Sequence, residues 1–193
     1  MTWEGLTPPY ATIVADPPWV FEGRRRPFSS TALRADIATN RPDPYSCMSV
    51  EQITALPVMD LAAKDAHLYL WTTNRYLRDA YAVAEAWGFR FSKLLTWCKA
   101  PMGIGVGGTF VNTAEYVLFC RRGALKAKRR VETTWWQWPR ELQCGTHSAK
   151  PPAFLDLVEQ VSPGPYVELF ARQPRFGWDS WGWGYEITER TSG

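Results

Sequence analysis

The 193-residue chain has little of what builds metal centres and disulfide frameworks. It contains 4 cysteines and 2 histidines, and no two cysteines form a C-x-x-C pair. Scattered cysteines and scarce histidines argue against a zinc site, so we expect no bound metal. No apolar run is long enough to span a bilayer. The chain also starts without a basic and apolar leader, so we expect no membrane association and a cytoplasmic location.

The overall composition is that of a folded protein. Hydrophobic residues make up 46% of the sequence, and the net charge is only +3. A chain of this length and composition can bury one hydrophobic core and does not resemble a disordered segment. We therefore predict a single domain over residues 1–193. The composition leaves the oligomeric state open.

Acidic residues are missing from one stretch of the chain. Residues 121–130 contain no acid, and a second basic cluster stands near the N-terminus. The basic residues concerned are Arg24, Arg25, Arg26, Arg121, Arg122, Lys126, Lys128, Arg129 and Arg130. Acid-free basic runs in a nearly neutral chain favour a polyanionic partner, so we predict binding to nucleic acid. The alternative interpretation is an ordinary solvated surface.

Short apolar segments alternate with helical patterns along the chain. The segments typical of buried strands are 11–15, 67–71, 89–99, 109–120 and 166–170. Apolar residues at helical spacing predict one helix from Asn74 to Trp87 and another from Pro152 to Val161. A capping-box pattern at Ser49 predicts a further short helix. This alternation predicts a layered α/β fold with helices that connect parallel strands.

A glycine-rich segment matches the letters of a dinucleotide-binding fingerprint. Residues 103–108 read Gly-Ile-Gly-Val-Gly-Gly. The fingerprint requires a helix directly afterwards, because the amides of a helix N-terminus bind the pyrophosphate. A strand is predicted there instead, so we reject a dinucleotide site and interpret the segment as a loop.

An acidic residue follows the first predicted strand. Asp16 stands after 11–15 and before Pro17, Pro18 and Trp19. Ligands of open α/β sheets bind at the carboxyl ends of the strands, so this carboxylate is a candidate site residue. The prolines donate no hydrogen bond, and their carbonyls are rigid acceptors. The corner therefore offers acceptors and an aromatic plane, although a plain Asp-Pro turn has the same sequence.

Such a corner suits an aromatic exocyclic amine. The amine's lone pair is delocalised into its ring, so the nitrogen attacks poorly until acceptors hold its two N–H groups. Asp16 and the Pro17 carbonyl are suited to this task, while an aromatic side chain holds the ring.

Three motifs carry a resemblance to a known family. They are Asp16-Pro17-Pro18-Trp19, His147-Ser148-Ala149-Lys150-Pro151 and Glu168-Leu169-Phe170-Ala171-Arg172, in this order. Together they resemble the adenine N6 methyltransferase family, which includes the eukaryotic messenger-RNA adenosine methyltransferase and its bacterial and phage relatives. The segments 68–74 and 97–99 and the acid Glu115 also match that family. The resemblance extends over nearly the whole chain.

The resemblance implies a Rossmann-like fold, with a mostly parallel twisted sheet and helices on both faces. It further implies S-adenosylmethionine as methyl donor, no metal, and methylation of the adenine N6 amine in DNA. The implied catalytic residues are Asp16, Pro17, Pro18 and Trp19. The implied cofactor-binding residues are His147, Lys150, Glu168, Leu169, Phe170 and Arg172. The substrate-binding candidates are Arg24, Arg25, Arg26, Glu115, Lys126, Lys128, Arg129, Arg130 and Ser148.

Other functions fit the same residues. The same reaction on RNA is one alternative, and methylation of cytosine or of a protein amide is another. Some relatives are non-catalytic nucleic-acid-binding partners that have lost the acid, whereas this chain keeps Asp16. The chain departs from the family at Trp183, where relatives carry an asparagine that binds the cofactor ribose. The segment before the first strand is short, so contacts to the cofactor adenine would come from residues 3–6.

Overall fold

The computed structural model describes residues 3–20, 47–99, 109–138 and 150–182. The elements in chain order are β1 (Tyr10–Ala15), α1 (Val50–Thr54), a 3-10 turn (Val58–Asp60), β2 (Ala62–Thr72), α2 (Leu77–Ala86), β3 (Arg90–Lys99), β4 (Ala114–Arg122), β5 (Trp135–Trp138), α3 (Pro152–Val161), β6 (Tyr166–Leu169) and β7 (Trp178–Trp181). No helix within these ranges has the length and apolar character needed to cross a membrane.

The described strands form one seven-stranded sheet in the order β5-β3-β4-β2-β1-β6-β7. β1 is parallel to β2 and β6, β6 is parallel to β7, and β3 is parallel to β5. β4 lies between β2 and β3 and is antiparallel to both. All strands except β4 therefore share one direction, and the predicted mostly parallel α/β fold is confirmed. We call the edge where these parallel strands end the carboxyl edge, and the opposite one the amino edge.

Helices cover both faces of this sheet. Ile13 and Ala15 of β1 belong to the core cluster that contains Ala80 and Val83 of α2. Val14, between them in sequence, packs in a second cluster with Phe154 of α3. Because successive side chains of a strand point to opposite faces, α1 and α2 cover one face and α3 covers the other. The predicted two-sided packing is therefore confirmed.

Local signals located most elements but missed two strands. The capping box at Ser49 is present, and α3 begins with Pro152 as predicted. Helix α2 has Tyr76 rather than Asn74 at its N-cap, without a side-chain cap. The short strands β5 and β7 were not predicted, because tryptophan-rich segments of four residues have too little alternation to show a strand period. Within the described residues a strand, β4, follows the glycine-rich segment, which itself lies outside them.

A buried polar cluster holds β2 to the end of α3 at the amino edge. Tyr69 and Ser162 hydroxyls lie 2.8 Å apart, and the Ser162 hydroxyl lies 2.8 Å from Nδ1 of His67. The Nε2–H of His67 donates to the Leu125 carbonyl at 3.2 Å. The neutral imidazole with its proton on Nε2 satisfies every member of this cluster. Since His67 is fully buried, we assign the cluster a structural role.

We expect His67 to make the fold sensitive to acid. Burial lowers the pKa of His67 to about 4, and the nearby Arg121 charge adds to this, although the Leu125 hydrogen bond opposes it. His67 therefore takes up a proton near pH 6.5 in the unfolded chain but only near pH 4 in the folded protein. The free energy of unfolding decreases as the pH falls from 6.5 to 4. The loss amounts to about 3 kcal/mol.

Chemical denaturation measures the free energy of unfolding of the protein and of its His67→Gln variant. The difference between the two is compared at pH 7 and at pH 4. The glutamine amide keeps a donor and an acceptor but does not titrate. We expect the stability advantage of the unsubstituted protein to shrink on acidification. An equal difference at both pH values would contradict the assigned role.

Candidate active site

Asp16 lies at the carboxyl edge, directly after β1. Its backbone N–H donates to the Leu169 carbonyl of β6 at 3.4 Å, which holds the end of β1 beside β6. The carboxylate side chain is 18% exposed. It is therefore close enough to solvent to receive a ligand and buried enough to hold one strongly.

The two proline carbonyls after Asp16 already have protein partners. The Pro17 carbonyl accepts the Trp19 N–H at 2.9 Å, and the Pro18 carbonyl accepts the Met48 N–H at 2.8 Å. The expectation that both stand free as acceptors is therefore corrected. A carbonyl has two lone pairs, so Pro17 keeps the capacity to accept one further hydrogen bond.

Trp19 is packed inside the protein. It is 9% exposed, and its Nε1–H donates to the Trp71 carbonyl at 3.1 Å. Its ring stacks on Tyr76 with the centroids 5.3 Å apart, and the Tyr76 hydroxyl donates to the Val20 carbonyl. We therefore correct the expectation of an open aromatic plane: Trp19 fixes the turn that follows Asp16.

Four charged side chains form a chain across the carboxyl edge. Lys150 Nζ lies 2.7 Å from Asp16 Oδ2 and 3.4 Å from Glu115 Oε2. The other Glu115 oxygen, Oε1, is paired with Lys99. The ammonium groups also lie over indole rings, Lys150 at 5.2 Å from the Trp71 centroid and Lys99 at 5.4 Å from that of Trp97. Positive and negative groups thus alternate from Asp16 to Lys99.

The pleat of the sheet explains this convergence. Val14 is opposite Tyr69, and Trp97 is opposite Glu115 in the paired strands. Side chains two residues apart share a face, so Asp16, Glu115 and Lys99 all lie on the face that α3 covers. Lys150 stands just before the first turn of α3, at the carboxyl edge.

Two acids beside Asp16, Glu115 and Glu168, have pKa values shifted in opposite directions. Burial raises the pKa of Glu115, but the charges of Lys150 and Lys99 outweigh burial and hold this pKa below its usual value. For Glu168 on β6, burial and then the neighbouring Asp16 charge raise the pKa to about 7. Glu168 is therefore partly protonated near neutral pH, beside a carboxylate.

The turn after β6 has an unusual backbone. Phe170 has φ 64°, a left-handed conformation that is costly for a bulky residue. Ala171 donates its N–H to the Trp181 carbonyl at 3.1 Å. A Cβ on Gly182 would lie 2.2 Å from the Ala171 carbonyl oxygen, so only glycine fits there. This clamped turn positions Arg172, and such strained turns are typical of functional sites.

Leu169 and Trp178 are core residues, and Trp181 packs against the core. Leu169 is fully buried, so its backbone carbonyl, not its side chain, contributes to the site. Trp178 is 8% exposed, and its Nε1–H donates to Glu159 at 2.6 Å. Trp181 packs edge-on against Trp3 with centroids 4.8 Å apart. These rings attach both chain ends to the core.

The central basic run does not reach the Asp16 corner. Because β4 is antiparallel to its neighbours, it ends at the amino edge, where Arg121 is opposite His67. Lys128 there donates to the Glu159 carbonyl at 2.9 Å and to the Tyr166 hydroxyl at 2.8 Å. Arg129 donates to Gln160 at 3.0 Å.

The assignment of Lys126, Lys128, Arg129 and Arg130 as substrate-binding residues stays a prediction, for a surface away from Asp16. Lys128 and Arg129 hold the β4–β5 connection to the end of α3. The connection then returns toward β5, whose last residue is opposite Lys99 at the carboxyl edge.

Several predicted residues lie outside the described ranges. They are Arg24, Arg25, Arg26, His147, Ser148 and Trp183. Sequence reasoning assigned no role to Lys99 or Trp71, although a lysine at the end of an apolar strand is a signal for Lys99. No group of three or more metal-binding side chains occurs among the residues that the structure describes.

Several known proteins are similar to this chain in sequence. The type II methyltransferase M.MunI of Mycoplasma sp is 29% identical over 182 residues, covering 90% of this chain and 76% of that protein. The human N(6)-adenine-specific methyltransferase METTL4 is 30% identical over 193 residues, covering 90% of this chain but 37% of that protein. The N6-methyladenosine RNA methyltransferase MTA1 of Cryphonectria parasitica is 26% identical, with 93% of this chain and 52% of that protein covered. A family model described as MT-A70 matches residues 10–184, and the chain therefore belongs to the MT-A70 family.

Proposed function

We propose that this chain transfers a methyl group from S-adenosylmethionine to the exocyclic N6 amine of adenine in DNA. Family membership supports the methyltransferase activity. The observation that carries the residue assignment is the largely buried Asp16 carboxylate at the carboxyl edge, in contact with Lys150 and beside Glu168.

The side chains at this edge suit the proposed cofactor. S-adenosylmethionine supplies a methyl group on a positively charged sulfur, and it also carries an ammonium and a carboxylate. Burial and then the Asp16 charge raise the pKa of Glu168, so a cation beside Glu168 would favour its charged form, and we assign this residue to the cofactor's ammonium. Lys150 and Arg172 are the candidate partners of the cofactor carboxylate, through charge-assisted hydrogen bonds.

Asp16 would act on the target amine. By accepting an N–H hydrogen bond it would let the nitrogen become tetrahedral as its bond to the methyl carbon forms and the methyl–sulfur bond of the donor breaks, with a neutral thioether as the leaving group. The Pro17 carbonyl has a second lone pair for the other N–H. After transfer the nitrogen gives up one proton, for which Asp16 is the proposed acceptor. No covalent intermediate with the protein is needed, because positioning supplies much of the acceleration.

Lys150 would share the Asp16 carboxylate with the arriving amine, because its ammonium contacts Oδ2 and a carboxylate has a second oxygen. The ammonium is 2.7 Å from Asp16, and Glu115 offers a second carboxylate at 3.4 Å. A shift of about 0.7 Å toward Glu115, the difference between these two distances, would weaken the hydrogen bond to Asp16 Oδ2 while the lysine stays paired with Glu115. We propose that Glu115 and Lys99 position Lys150 in this way.

We prefer DNA to RNA as the substrate because of the relatives' coverage. The chain aligns with 76% of the type II methyltransferase, a term used for DNA-modifying enzymes, and with 52% of the fungal RNA methyltransferase. The chain spans 37% of the human relative. We further propose that residues 1–193 act as one methyltransferase domain, in the cytoplasm and without a metal.

Methyl transfer to separate DNA and RNA pools tests this function. The protein is incubated with cofactor labelled on its methyl group, and the digested nucleosides are analysed. We expect label in N6-methyladenine from DNA. Label from RNA alone would show that RNA, and not DNA, is the substrate. Label in cytosine or in protein would show that the methyl acceptor is not adenine. No label in any pool would favour the non-catalytic partner.

We expect Arg172→Ala to weaken S-adenosylmethionine binding. Loss of a charge-assisted hydrogen bond costs about 1.5 to 3 kcal/mol, which is a roughly 10- to 150-fold increase in Kd. Titration calorimetry measures it, with the exposed Arg78→Ala on α2 as the control of equal charge. Unchanged affinity in the Arg172 variant would remove this residue from the cofactor site.

A further inference from the structure

A groove lies between α3 and the segment that leads into β5, on the same sheet face as Asp16. Its volume is about 650 Å³. The lining residues are Arg129, Arg130, Val131, Glu132, Thr133, Trp136, Trp138, Ala153, Asp156, Leu157 and Gln160. α3 begins at Pro152, just after Lys150 at the carboxyl edge, and ends at Val161 at the amino edge. The groove therefore follows the helix across the sheet.

The lining has an excess of available positive charge. Arg129 and Arg130 are both exposed. Asp156 is already paired with Arg175, at 2.6 Å. This leaves Glu132 as the opposing charge among the lining residues. Two guanidinium groups against one carboxylate favour an anionic ligand such as a phosphodiester strand.

The groove also contains an aromatic platform. The rings of Trp136 and Trp138 are stacked, with centroids 5.5 Å apart and planes inclined by 11°. Both are half-buried, whereas Trp135 on the other face of β5 is 59% exposed. Flat rings beside cationic groups are the combination that binds single-stranded nucleic acids, because every base can stack on them.

The platform is connected to the site through the sheet. Trp138 is opposite Lys99, whose ammonium is paired with Glu115, and Glu115 contacts Lys150. β5 lies four strands from β1, which corresponds to about 19 Å. Trp138 is therefore too far away to stack on an adenine at Asp16. At about 3.4 Å per stacked nucleotide, this distance corresponds to a base about six nucleotides away from that adenine along the strand.

We infer that this groove binds the single strand that flanks the target adenine, with bases on the Trp136–Trp138 platform and phosphates at Arg129 and Arg130. The inference rests on the proposed function, because a flanking strand requires a nucleic-acid substrate. It adds a substrate site at a distance from the chemistry, and it keeps Arg129 and Arg130 of the basic run as the phosphate contacts.

Two variants and two matched controls test the groove. Trp136→Leu removes the platform, and Trp135→Leu makes the same change on the opposite face. Arg130→Gln removes a phosphate contact, and Lys64→Gln removes an exposed charge on β2 at the amino edge. Fluorescence anisotropy measures binding of a labelled single-stranded oligonucleotide with one adenine and about ten flanking nucleotides, and of a trinucleotide centred on adenine.

We expect Trp136→Leu to weaken binding of the long oligonucleotide by about 5- to 150-fold and to leave the trinucleotide unchanged. Arg130→Gln should flatten the slope of log affinity against log salt by roughly 0.7. Both controls should match the unsubstituted protein. Normal binding of the long oligonucleotide by both groove variants would overturn the inference.

Methyl transfer to the trinucleotide separates this inference from the proposed function. If every variant methylates the trinucleotide normally and binds the long oligonucleotide normally, the groove is not a binding site, and the proposed function stands. If the unsubstituted protein neither binds nor methylates any oligonucleotide, both the function and the groove assignment fail.

Discussion

Replacing Asp16 with alanine should reduce methyl transfer to DNA by at least about 100- to 1,000-fold, the loss typical of removing one group that stabilises charge in a transition state. The carboxylate is 18% exposed at the carboxyl edge and stands directly after β1, so it can accept the amine hydrogen with a full negative charge. Cofactor affinity should change much less, since the proposed contact is to the amine. Turnover with labelled cofactor and calorimetry measure the two quantities.

The control is Asp60→Ala, an exposed acid just before β2 at the amino edge. It should transfer methyl groups normally. Near-normal turnover in the Asp16 variant would contradict the mechanism. An equal loss of cofactor affinity and turnover would instead assign Asp16 to the cofactor alone. A far-ultraviolet spectrum and a melting curve show whether the variant is folded.

Lys150→Met should have the second-largest effect, because one ammonium serves two carboxylates. Removing it leaves Asp16 and Glu115 near each other without their shared cation. We expect cofactor affinity to fall roughly 10- to 150-fold and methyl transfer to fall further. The pKa of Glu115 should rise, since the Lys150 charge is one of the two that hold it down.

A second substitution, at Glu115, shows whether Glu115 positions Lys150 or whether the Lys150 variant only loses a positive charge. If Lys150 is held by Glu115, the double variant Lys150→Met with Glu115→Gln should be more stable than the sum of the single variants predicts, by about 0.5 to 3 kcal/mol. The exposed Lys93→Met on β3 serves as the control. Strict additivity of the two substitutions would show that the contact carries no coupling energy.

The sequence predicted the site best where a short segment carries both the element and the chemistry. The apolar run before Asp16 is a strand, and the acid stands at its end, as the alternation of elements suggested. α3 begins at Pro152, two residues after Lys150, as the helical spacing indicated. Such features depend on neighbours in sequence, so local propensity and periodicity are enough to find them.

Prediction was wrong where the partner of a group lies far away in sequence. The Pro18 carbonyl is taken by Met48, and the Trp19 ring is covered by Tyr76. The sequence also left the position of the basic run at residues 121–130 open, and the antiparallel direction of β4 carries it to the amino edge. A strand has the same local pattern in either direction, so its sequence could not reveal this.

The sequence by itself determined the α/β class, the extents of most buried strands and helices, and the acid at the end of β1. Each of these follows from apolar periodicity or from turn chemistry within a few residues. Only the tertiary structure decided that Asp16, Lys150, Glu115 and Lys99 form one chain of contacts, and that Glu168 titrates near neutral pH. The physical reason is that charge interactions and burial depend on distances between strands, which the pairing order of the whole sheet sets.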